Sequence, residues 1–140
     1  MARSISLEIV TPEKLVLKDE AGFVVLPACE GELGVLPGHA PLLVQLKVGE
    51  LRITRDDQVR FFAVSGGFAE VRPSKVSVFA ETAEMGEEID VERARLAAEK
   101  ARMTLSNASG LEDEAKARAA LMRALLRLRV SEGLSKRRRK

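Results

Sequence analysis

Short apolar segments with a strand-like pattern fill the first part of the chain. Ile5, Leu7 and Ile9 alternate with more polar positions, as in a strand that buries one of its faces. Further short segments follow at regular spacing, separated by prolines and glycines, and Asp56-Asp57 between two of them predicts a hairpin turn. We therefore predict an all-β sandwich or flattened barrel in this part of the chain.

The pattern changes near residue 89, where helical spacing begins. Asp90 suits the N-cap position of a helix that starts at Val91, because its carboxylate can accept hydrogen bonds from free backbone N–H groups. Small and apolar residues then recur at helical spacing, namely Ala94, Ala97, Ala98, Ala101 and Leu105. Alanines allow close packing but bury little apolar area, so this helix is predicted to be weakly held.

A second amphipathic helix is predicted from about Leu111 to about Ser131, after a polar break. Its apolar row consists of Ala115, Ala119, Met122 and Leu126, with Leu121, Leu125 and Leu128 beside it. Two such helices joined by a short loop predict an antiparallel hairpin, so the fold class is α+β by segments. The predicted domains are a β-sandwich over residues 1–88, a helical hairpin over residues 89–133 and a disordered basic tail over residues 134–140.

Charge is divided unevenly between these parts. Residues 1–89 carry 9 basic and 14 acidic side chains, a balance of −5, whereas residues 90–140 carry 14 basic and 7 acidic ones, a balance of +7. Lys116, Arg123 and Arg127 share one face of the second helix, because they lie 7 and 4 positions apart. Further basic residues follow at Arg129 and throughout residues 136–140. This asymmetry predicts that the two parts have different partners.

Composition limits the core and the covalent chemistry. The chain is 46% hydrophobic but only 4% aromatic, without Trp or Tyr, so its core must be mainly aliphatic. Cys29 is the only cysteine, which excludes an internal disulfide or a cysteine-based metal cluster and favours a reducing compartment. The pattern predicts neither a secretory leader nor a membrane-spanning helix.

Nothing in the sequence favours catalysis. A single histidine stands in no recognisable Ser-His-Asp setting, and Gly66-Gly67 is not followed by the Gly-Lys-Ser/Thr of a phosphate-binding loop. Glu30 and Glu32 could form an acid–base pair, but no set of metal ligands or pocket aromatics accompanies them. We therefore predict no catalytic residues and no metal site.

A nucleic-acid-binding protein is the alternative interpretation. The basic residues 136–140 could contact phosphates. However, the chain has no Tyr or Trp to stack on bases, and residues 1–89 are acidic. We therefore expect no nucleic-acid partner.

Three short motifs carry a more specific signal. They are GELGVLPGHAPL at residues 31–42, SGGFAEV at residues 65–71, and EIDVERA at residues 88–94. The first is a chain reversal in which glycines permit unusual backbone angles and prolines fix them. In their order, their spacing and the architecture around them, these motifs resemble the epsilon subunits of bacterial F-type ATP synthases, which are homologous to the chloroplast epsilon subunit. The resemblance covers nearly the whole chain.

For the β-sandwich, the resemblance implies a place in the rotor. This domain of the family docks on the gamma subunit and on the polar loops of the c-ring, and it couples ion-driven rotation to catalysis. Glu32 matches an acidic position that faces the c-ring, and His39 lies in the same chain reversal. The alternative for Glu32 is a solvated loop carboxylate, and the alternative for His39 is a hydrogen bond to the local backbone.

For the hairpin, the resemblance implies an inhibitory arm. Folded down, the family's helices pack on the β-domain; extended, they reach the alpha and beta catalytic subunits and block ATP hydrolysis. Lys116, Arg123, Arg127 and Arg129 are the residues expected to attract an acidic segment of those subunits. An ordinary solvated basic face is the alternative.

Some bacterial members of the family also bind ATP on the folded-down hairpin. The matching residues here are Ile89, Asp90, Arg93 and Ala94, supported by Glu84, Arg123 and Arg127. Arginines suit phosphate because they provide planar, charge-assisted donors. Alternatively, Asp90 only caps a helix and Arg93 only pairs with Glu92 or Glu88. ATP would act as a regulatory ligand, and no cofactor is required.

The resemblance also implies a location. We expect a peripheral protein on the cytoplasmic face of the bacterial plasma membrane, held there through the rest of the complex.

Overall fold

Two units make up the computed structural model, which describes the backbone of residues 3–138 and the side chains of residues 3–132. The first unit ends at Met85 and the second begins at Gly86. Within the described range, the first unit consists of ten strands, and the second consists of a short 3-10 turn followed by two α-helices.

The ten strands of the first unit form one continuous sheet. In chain order they are β1 (Ile5–Val10), β2 (Leu15–Ala21), β3 (Phe23–Ala28), β4 (Gly31–Val35), β5 (Leu42–Leu46), β6 (Gly49–Arg55), β7 (Gln58–Val64), β8 (Gly67–Val71), β9 (Lys75–Ala80) and β10 (Ala83–Met85). The order across the sheet is β10-β7-β6-β3-β5-β8-β9-β1-β2, and β4 pairs with β3 beside this path. Strands β1 and β9 are parallel, whereas the other pairs are antiparallel. This architecture confirms the predicted β-sandwich.

The core of the first unit is aliphatic, as the composition predicted. Ile5, Leu7 and Ile9 of β1 are fully buried, while the residues between them are half-buried. Phe62 is the largest of the fully buried side chains, and the other buried residues of its core cluster are all aliphatic. The alternation in β1 therefore follows the period of two that a one-sided strand requires.

An ion-pair cluster joins distant parts of the sheet order. Asp19 of β2 accepts hydrogen bonds from Arg55 of β6 at 2.5 Å and from Arg60 of β7 at 3.4 Å. The Arg60 guanidinium also lies 5.7 Å from the centroid of the Phe62 ring. Because β2 is at one end of the sheet order and β7 is next to the other end, these contacts help the sheet to close on itself.

The predicted hairpin turn at Asp56-Asp57 is present between β6 and β7. Both residues have positive φ, 49° for Asp56 and 66° for Asp57. This backbone geometry suits a two-residue hairpin loop, because its twist matches that of the flanking strands. Aspartate tolerates the left-handed region better than most residues do.

The second unit is a helical hairpin of α1 (Val91–Ser106) and α2 (Leu111–Arg138), preceded by the 3-10 turn Gly86–Glu88. Asp90 caps α1 as predicted, since its carboxylate accepts a hydrogen bond of 3.1 Å from the backbone N–H of Arg93. The two helices contact each other, and α2 also contacts the 3-10 turn.

Small residues make up most of the buried positions of the two helices. The buried residues of α1 are Ala94, Ala98 and Ala101. In the described part of α2, the buried hydrophobic residues are Ala117, Ala124, Leu126 and Val130. Each alanine methyl group contributes about 1 kcal/mol or less when buried, compared with about 1.5–3 kcal/mol for a valine or leucine.

The predicted apolar row of α2 was partly wrong. Leu126 is buried, but Ala115, Ala119 and Met122 are exposed. In α1, Ala97 is likewise exposed beside the buried Ala98. Alanine is common on both the buried and the exposed faces of helices, so a row of alanines does not identify the face that a partner helix covers.

Helix α2 is longer than predicted, because it passes Gly133 and continues to Arg138. Residues 134–138 of the predicted tail therefore have a helical backbone, whereas residues 139 and 140 lie outside the described residues. Lysine and arginine are good helix formers and are favourable near a helix C-terminus, which offsets the cost of about 1 kcal/mol for one glycine. None of the helices, within the described residues, has the length and apolar character needed to span a membrane.

Gly67 is the position in the sheet where a side chain is least tolerable. Its φ is +106°, and a Cβ there would lie 2.0 Å from the backbone oxygen of Phe79. We expect Gly67→Ala to lower the free energy of unfolding by at least about 3 kcal/mol, measured by urea denaturation. Gly38→Ala is the control, because Gly38 also has a positive φ of +89° but has no atom within 4 Å of the added Cβ. Equal losses in the two variants would contradict the steric explanation.

Candidate functional site

A row of exposed apolar side chains crosses four neighbouring strands of the first unit. Phe68 of β8 is in register with Phe79 of β9, and their rings stack with centroids 5.0 Å apart. Phe79 is in turn in register with Val10 of β1, and Val10 with Leu15 of β2. Phe68 is 47% exposed, Phe79 38% and Leu15 54%, while Val10 is half-buried. We call these four residues the apolar row.

The apolar surface continues onto the next strand. Leu43 of β5 is 69% exposed and lies opposite Glu70 of β8, diagonal to Phe68. A groove of about 630 Å³ lies beside it, lined by Pro41, Leu42, Leu43, Glu70, Val71, Arg72 and Pro73. Arg72 donates a hydrogen bond of 2.6 Å to Glu70, so an ion pair lies at the rim of this groove. Exposed apolar residues beside polar ones are typical of a protein-docking surface.

The chain reversal of the first motif is held by backbone hydrogen bonds. Gly38 has a φ of +89°, and its N–H donates to the carbonyl of Pro73 at 2.7 Å. The backbone N–H of His39 donates to the carbonyl of Leu36 at 3.1 Å. These bonds fix the reversal against the loop between β8 and β9, and thus next to the groove.

The His39 side chain is engaged locally. Its Nδ1–H donates to the carbonyl of the next residue, Ala40, at 2.7 Å. The ring is half-buried, and this contact corresponds to the local backbone bond that the sequence left open as an alternative. A role for His39 in binding a partner stays a prediction.

Glu32 lies on β4, and its side chain is exposed. Its Oε2 accepts a hydrogen bond of 2.8 Å from Nη2 of Arg52 on β6, across strand β3. A groove of about 450 Å³ runs beside Glu32 and is also lined by Cys29, Glu30 and Gln45. The ion pair with Arg52 thus lies on the exposed surface formed by β4, β3 and β6. A contact between Glu32 and the c-ring stays a prediction.

Predicted nucleotide-binding residues occur in both units. Glu84 belongs to the first unit, on β10, in register with Ala63 of β7. The other six belong to the second unit, where Ile89 and Ala94 are buried. Those two residues act through packing, since they have no side-chain group that could hydrogen-bond a ligand.

Asp90 and Arg93 lie at the N-terminal end of α1. The Asp90 carboxylate is used as the helix cap, whereas the Arg93 guanidinium is exposed and has no hydrogen bond or ion pair among the described side chains. The predicted alternative partner Glu92 is instead paired with Arg95, which also donates to Glu99 at 3.1 Å. The hydrogen bond that Arg95 donates to Glu92, together with the positive charge of Arg95, holds the pKa of the Glu92 carboxyl below its ordinary value.

The basic residues of α2 differ in their surroundings. Lys116, Arg123 and Arg129 are exposed, and Arg127 is half-buried. Lys116 lies 3.7 Å from Glu112, one turn earlier, whereas Arg123 has no ion pair with any described side chain. Arg127 therefore differs from the other three, and the predicted stripe is not uniformly solvated.

The position of each residue along the axis of the hairpin follows from the number of residues between it and the turn. Arg93 is 14 residues before Asn107, and Arg123 is 13 residues after Gly110. Both helices rise about 1.5 Å per residue, so these two arginines lie at the same level on opposite arms. The shared level does not by itself bring the two guanidinium groups together, and ATP binding by these residues stays a prediction.

The apolar row was missed by the sequence analysis. The alternation of side chains along the strands could have identified it. In β8, Ala69 and Val71 face the core, so this alternation places Phe68 and Glu70 on the outer face. The same period places Phe79 of β9 outward with Ser77.

The described residues have few groups that could perform chemistry. No set of three or more His, Cys, Asp or Glu residues among them could hold a metal ion. Cys29 is exposed and not part of a disulfide. The first unit thus offers a docking surface, and the second offers a basic helical surface.

Comparison with family models gives matches to both units. Residues 4–86 match the beta-sandwich domain of the ATP synthase Delta/Epsilon chain, and residues 87–132 match the long alpha-helix domain of the same chain. The boundary between the two matches falls within one residue of the boundary between the two structural units.

Curated relatives match along nearly their whole length. The ATP synthase epsilon chain of Nitratidesulfovibrio vulgaris (strain DP4) is 48% identical over 130 residues, which cover 93% of this chain and 97% of the relative. The ATP synthase epsilon chain of Desulforamulus reducens is 46% identical over 132 residues, which cover 94% of this chain and all of the relative.

Solved structures with a similar fold come from ATP synthase complexes. A chain of the Euglena gracilis mitochondrial ATP synthase, in a structure of OSCP, F1 and c-ring, has a TM-score of 0.75 and 29% identity, covering 85% of this chain and 76% of that one. A chain of the Tetrahymena thermophila central stalk and c-ring has a TM-score of 0.62 at 17% identity, covering 92% and 97%, and so supports the fold alone. These comparisons give no support to the nucleic-acid-binding alternative.

Proposed function

This chain belongs to the ATP synthase Delta/Epsilon family, as an epsilon chain of the bacterial type, and on that premise we propose that its first unit docks on the central stalk through the apolar row. The observation that carries this proposal is the exposure of stacked Phe68 and Phe79 on an otherwise well-packed sandwich. Large aromatic side chains are enriched at protein interfaces, where they contribute much of the binding energy.

The surroundings of the apolar row suit a permanent protein contact. Leu43 extends it on the next strand, and the groove beside Leu43 has a polar rim of Glu70 and Arg72. A partner that covers this surface removes several large apolar side chains from water together, while the rim keeps its ion pair. We assign the gamma subunit to this surface, and the polar loops of the c-ring to the neighbourhood of Glu32.

The second unit serves as the regulatory arm in this proposal. Most of the buried residues of its helices are alanines, so moving the helices is expected to expose little apolar surface. Arg123 and Arg129 are exposed cations on α2, and an acidic segment of the alpha and beta catalytic subunits could bind them when the arm extends. The arm would then inhibit ATP hydrolysis.

ATP is the proposed regulatory ligand of the arm. The Arg93 side chain has no partner among the described side chains and lies at the level of Arg123, near the N-terminus of α1. A ligand that binds only the folded-down arm shifts the equilibrium toward that state by its differential affinity. At a concentration ten times the dissociation constant, the shift is about 1.4 kcal/mol, which is comparable to the burial of one or two alanines.

In this proposal the chain has no catalytic role of its own. It belongs to a membrane-associated ATP synthase complex, and we place it on the cytoplasmic face of the plasma membrane as a peripheral subunit. Its contribution is to transmit rotation and to limit hydrolysis.

The apolar row can be tested by replacing its two stacked aromatic residues. We expect Phe68→Ser combined with Phe79→Ser to weaken binding to the gamma subunit and c-ring subcomplex by at least about thirtyfold, because interface aromatics typically contribute 2 kcal/mol or more. Binding would be measured by surface plasmon resonance on the reconstituted subcomplex. Circular dichroism would establish that the variant remains folded.

Leu111→Ser is the matched control for that experiment. Leu111 is also a large exposed hydrophobic residue, but it lies at the start of α2. The Leu111→Ser variant should bind the gamma subunit and c-ring subcomplex with an affinity within about twofold of that of the unchanged protein. An unchanged affinity of the folded double variant would contradict docking through the apolar row.

ATP binding can be tested by calorimetric titration of the isolated protein, with and without magnesium. We expect saturable binding that weakens at least about tenfold in Arg93→Ala and in Arg123→Ala, because each loses a charge-assisted hydrogen bond to phosphate. Arg102→Ala, which removes an exposed cation elsewhere on α1, should bind as the unchanged protein does. Flat heats, or equal weakening in all three variants, would rule out this site while leaving the docking proposal intact.

A further inference from the structure

Two strands of the first unit lie on either side of a groove without pairing with each other. Strand β4 pairs with β3 alone, whereas β5 pairs with β8 and, through the single pair Ala28–Leu46, with β3. The groove of about 450 Å³ beside Glu32 is lined by residues 28–33 on one side and by residues 42–45 on the other. We call it the β4–β5 cleft. Among the described residues, no strand pairs with the two edges that line it.

The backbone N–H and C=O of Leu43 point into this cleft. In an antiparallel sheet, alternate residues of a strand direct these groups to opposite neighbours. The carbonyl of Gln45 accepts a hydrogen bond of 3.0 Å from the N–H of Cys29, on the side of β5 that faces away from β8. Leu43 lies two residues earlier on the same strand, so its backbone groups point to that side as well, beyond the single pair that joins β5 to β3.

The facing edge of β4 has free backbone groups of the same kind. Pro27 of β3 lies opposite Glu32, and its carbonyl accepts a hydrogen bond of 3.0 Å from the N–H of Lys47, on the side away from β4. Residues opposite each other in an antiparallel pair both point inward or both point outward. The N–H and C=O of Glu32 therefore point away from β3, as do those of Gly34 two residues later.

The edge of β5 lacks the usual protection against a further strand. Free edges of native sheets are commonly blocked by charged side chains, by proline within the strand or by a bulge. Strand β2, at one end of the sheet order, carries Lys18, Asp19 and Glu20. In contrast, β5 has the sequence LLVQL without a charged residue, and its Leu43 is exposed. This edge thus has the chemistry of one that another strand covers.

We propose that an extended polypeptide segment of the central-stalk partner enters the β4–β5 cleft and adds a strand to the edge of β5 at Leu43. This inference rests on the proposed docking of the first unit. Leu42 and Leu43 line both the cleft and the groove beside the apolar row, so a partner that covers the apolar row reaches the cleft directly. Glu30 is exposed at the cleft and has no ion pair with any described side chain, so the segment carries a Lys or Arg opposite it.

Hydrogen exchange at single-residue resolution tests the added strand. The full chain is compared alone and bound to the reconstituted gamma subunit and c-ring subcomplex. We expect the amides of Glu32, Gly34 and Leu43 to exchange readily in the free chain, and the Leu43 amide to exchange at least about a hundredfold more slowly in the complex. Binding without protection of Leu43 would overturn this inference and leave the docking proposal intact. Absence of binding would contradict both.

A second copy of this chain is the competing occupant. It would pair at the same edge, so its presence would protect the Leu43 amide in the isolated chain, and the protection would increase with protein concentration. We expect no such dependence on concentration. Protection that does increase with concentration would assign the β4–β5 cleft to self-association and overturn the inference.

Two substitutions at one position separate the backbone from the side chain. Leu43→Pro and Leu43→Ala both remove the leucine side chain, but only proline also removes the N–H that points into the cleft. The ladder to β8 is kept, because Leu42 and Val44 provide its hydrogen bonds. In surface plasmon resonance on the subcomplex, we expect Leu43→Pro to bind at least about tenfold more weakly than Leu43→Ala, with circular dichroism to establish folding. Equal affinities of the two folded variants would overturn the added strand.

The charge of the segment is tested by reversing Glu30. We expect Glu30→Lys to weaken binding to the subcomplex at least about fivefold at about 0.1 M salt, because it places a cation opposite the basic residue of the segment. Asp113→Lys makes the same change in net charge at an exposed position on α2 and should stay within about twofold of the unchanged protein. Equal effects of the two variants would contradict a basic residue opposite Glu30.

Discussion

Alanines occupy most of the buried positions of α1 and α2, and the behaviour proposed for the second unit depends on them. Ala94, Ala98 and Ala101 are the buried residues of α1, and Ala117 and Ala124 are among those of α2. Small side chains let the helices approach closely, but each contributes about 1 kcal/mol or less through burial. We therefore expect the hairpin to be weakly held, as the proposed movement of the arm requires.

The first unit differs from the hairpin, because large side chains form its core. Its core buries whole leucine, isoleucine and valine side chains from most strands, and the Asp19 cluster links strands that are distant in the sheet order. This stability allows the surface to carry Phe68 and Phe79 outside the core without loss of the fold. The first unit therefore combines a large aliphatic core with an exposed apolar surface, and the second unit combines small buried residues with exposed cations.

The elements that could be predicted from the sequence are those governed by local rules. Alternation in β1, the cap at Asp90 and the turn at Asp56-Asp57 each depend on a few neighbouring residues, and all three are present. The buried face of α2 could not be predicted, because Ala115 and Ala117 are equally suitable for either face and only the partner helix decides between them.

In the candidate site, too, only the features that depend on local rules could be predicted from the sequence. The outward position of Phe68 follows from strand period alone, whereas its stacking on Phe79 depends on the pairing of β8 with β9. The capping role of Asp90 follows from local rules. In contrast, the engagement of Glu92 by Arg95, and not by Arg93, depends on which of two arginines has the better helical spacing.

We infer that the hairpin is the weakly held part of this protein. Native-state hydrogen exchange on the isolated chain tests it most directly, by comparing backbone amides of Ala98 and Ala101 with those of Leu7 and Val78. The alanine contact should let the α1 amides exchange at least about a hundredfold faster than the core strand amides, a difference of about 3 kcal/mol in opening free energy. Equal protection of α1 and the core strands would show that the two parts unfold as one, and would contradict a hairpin that moves by itself.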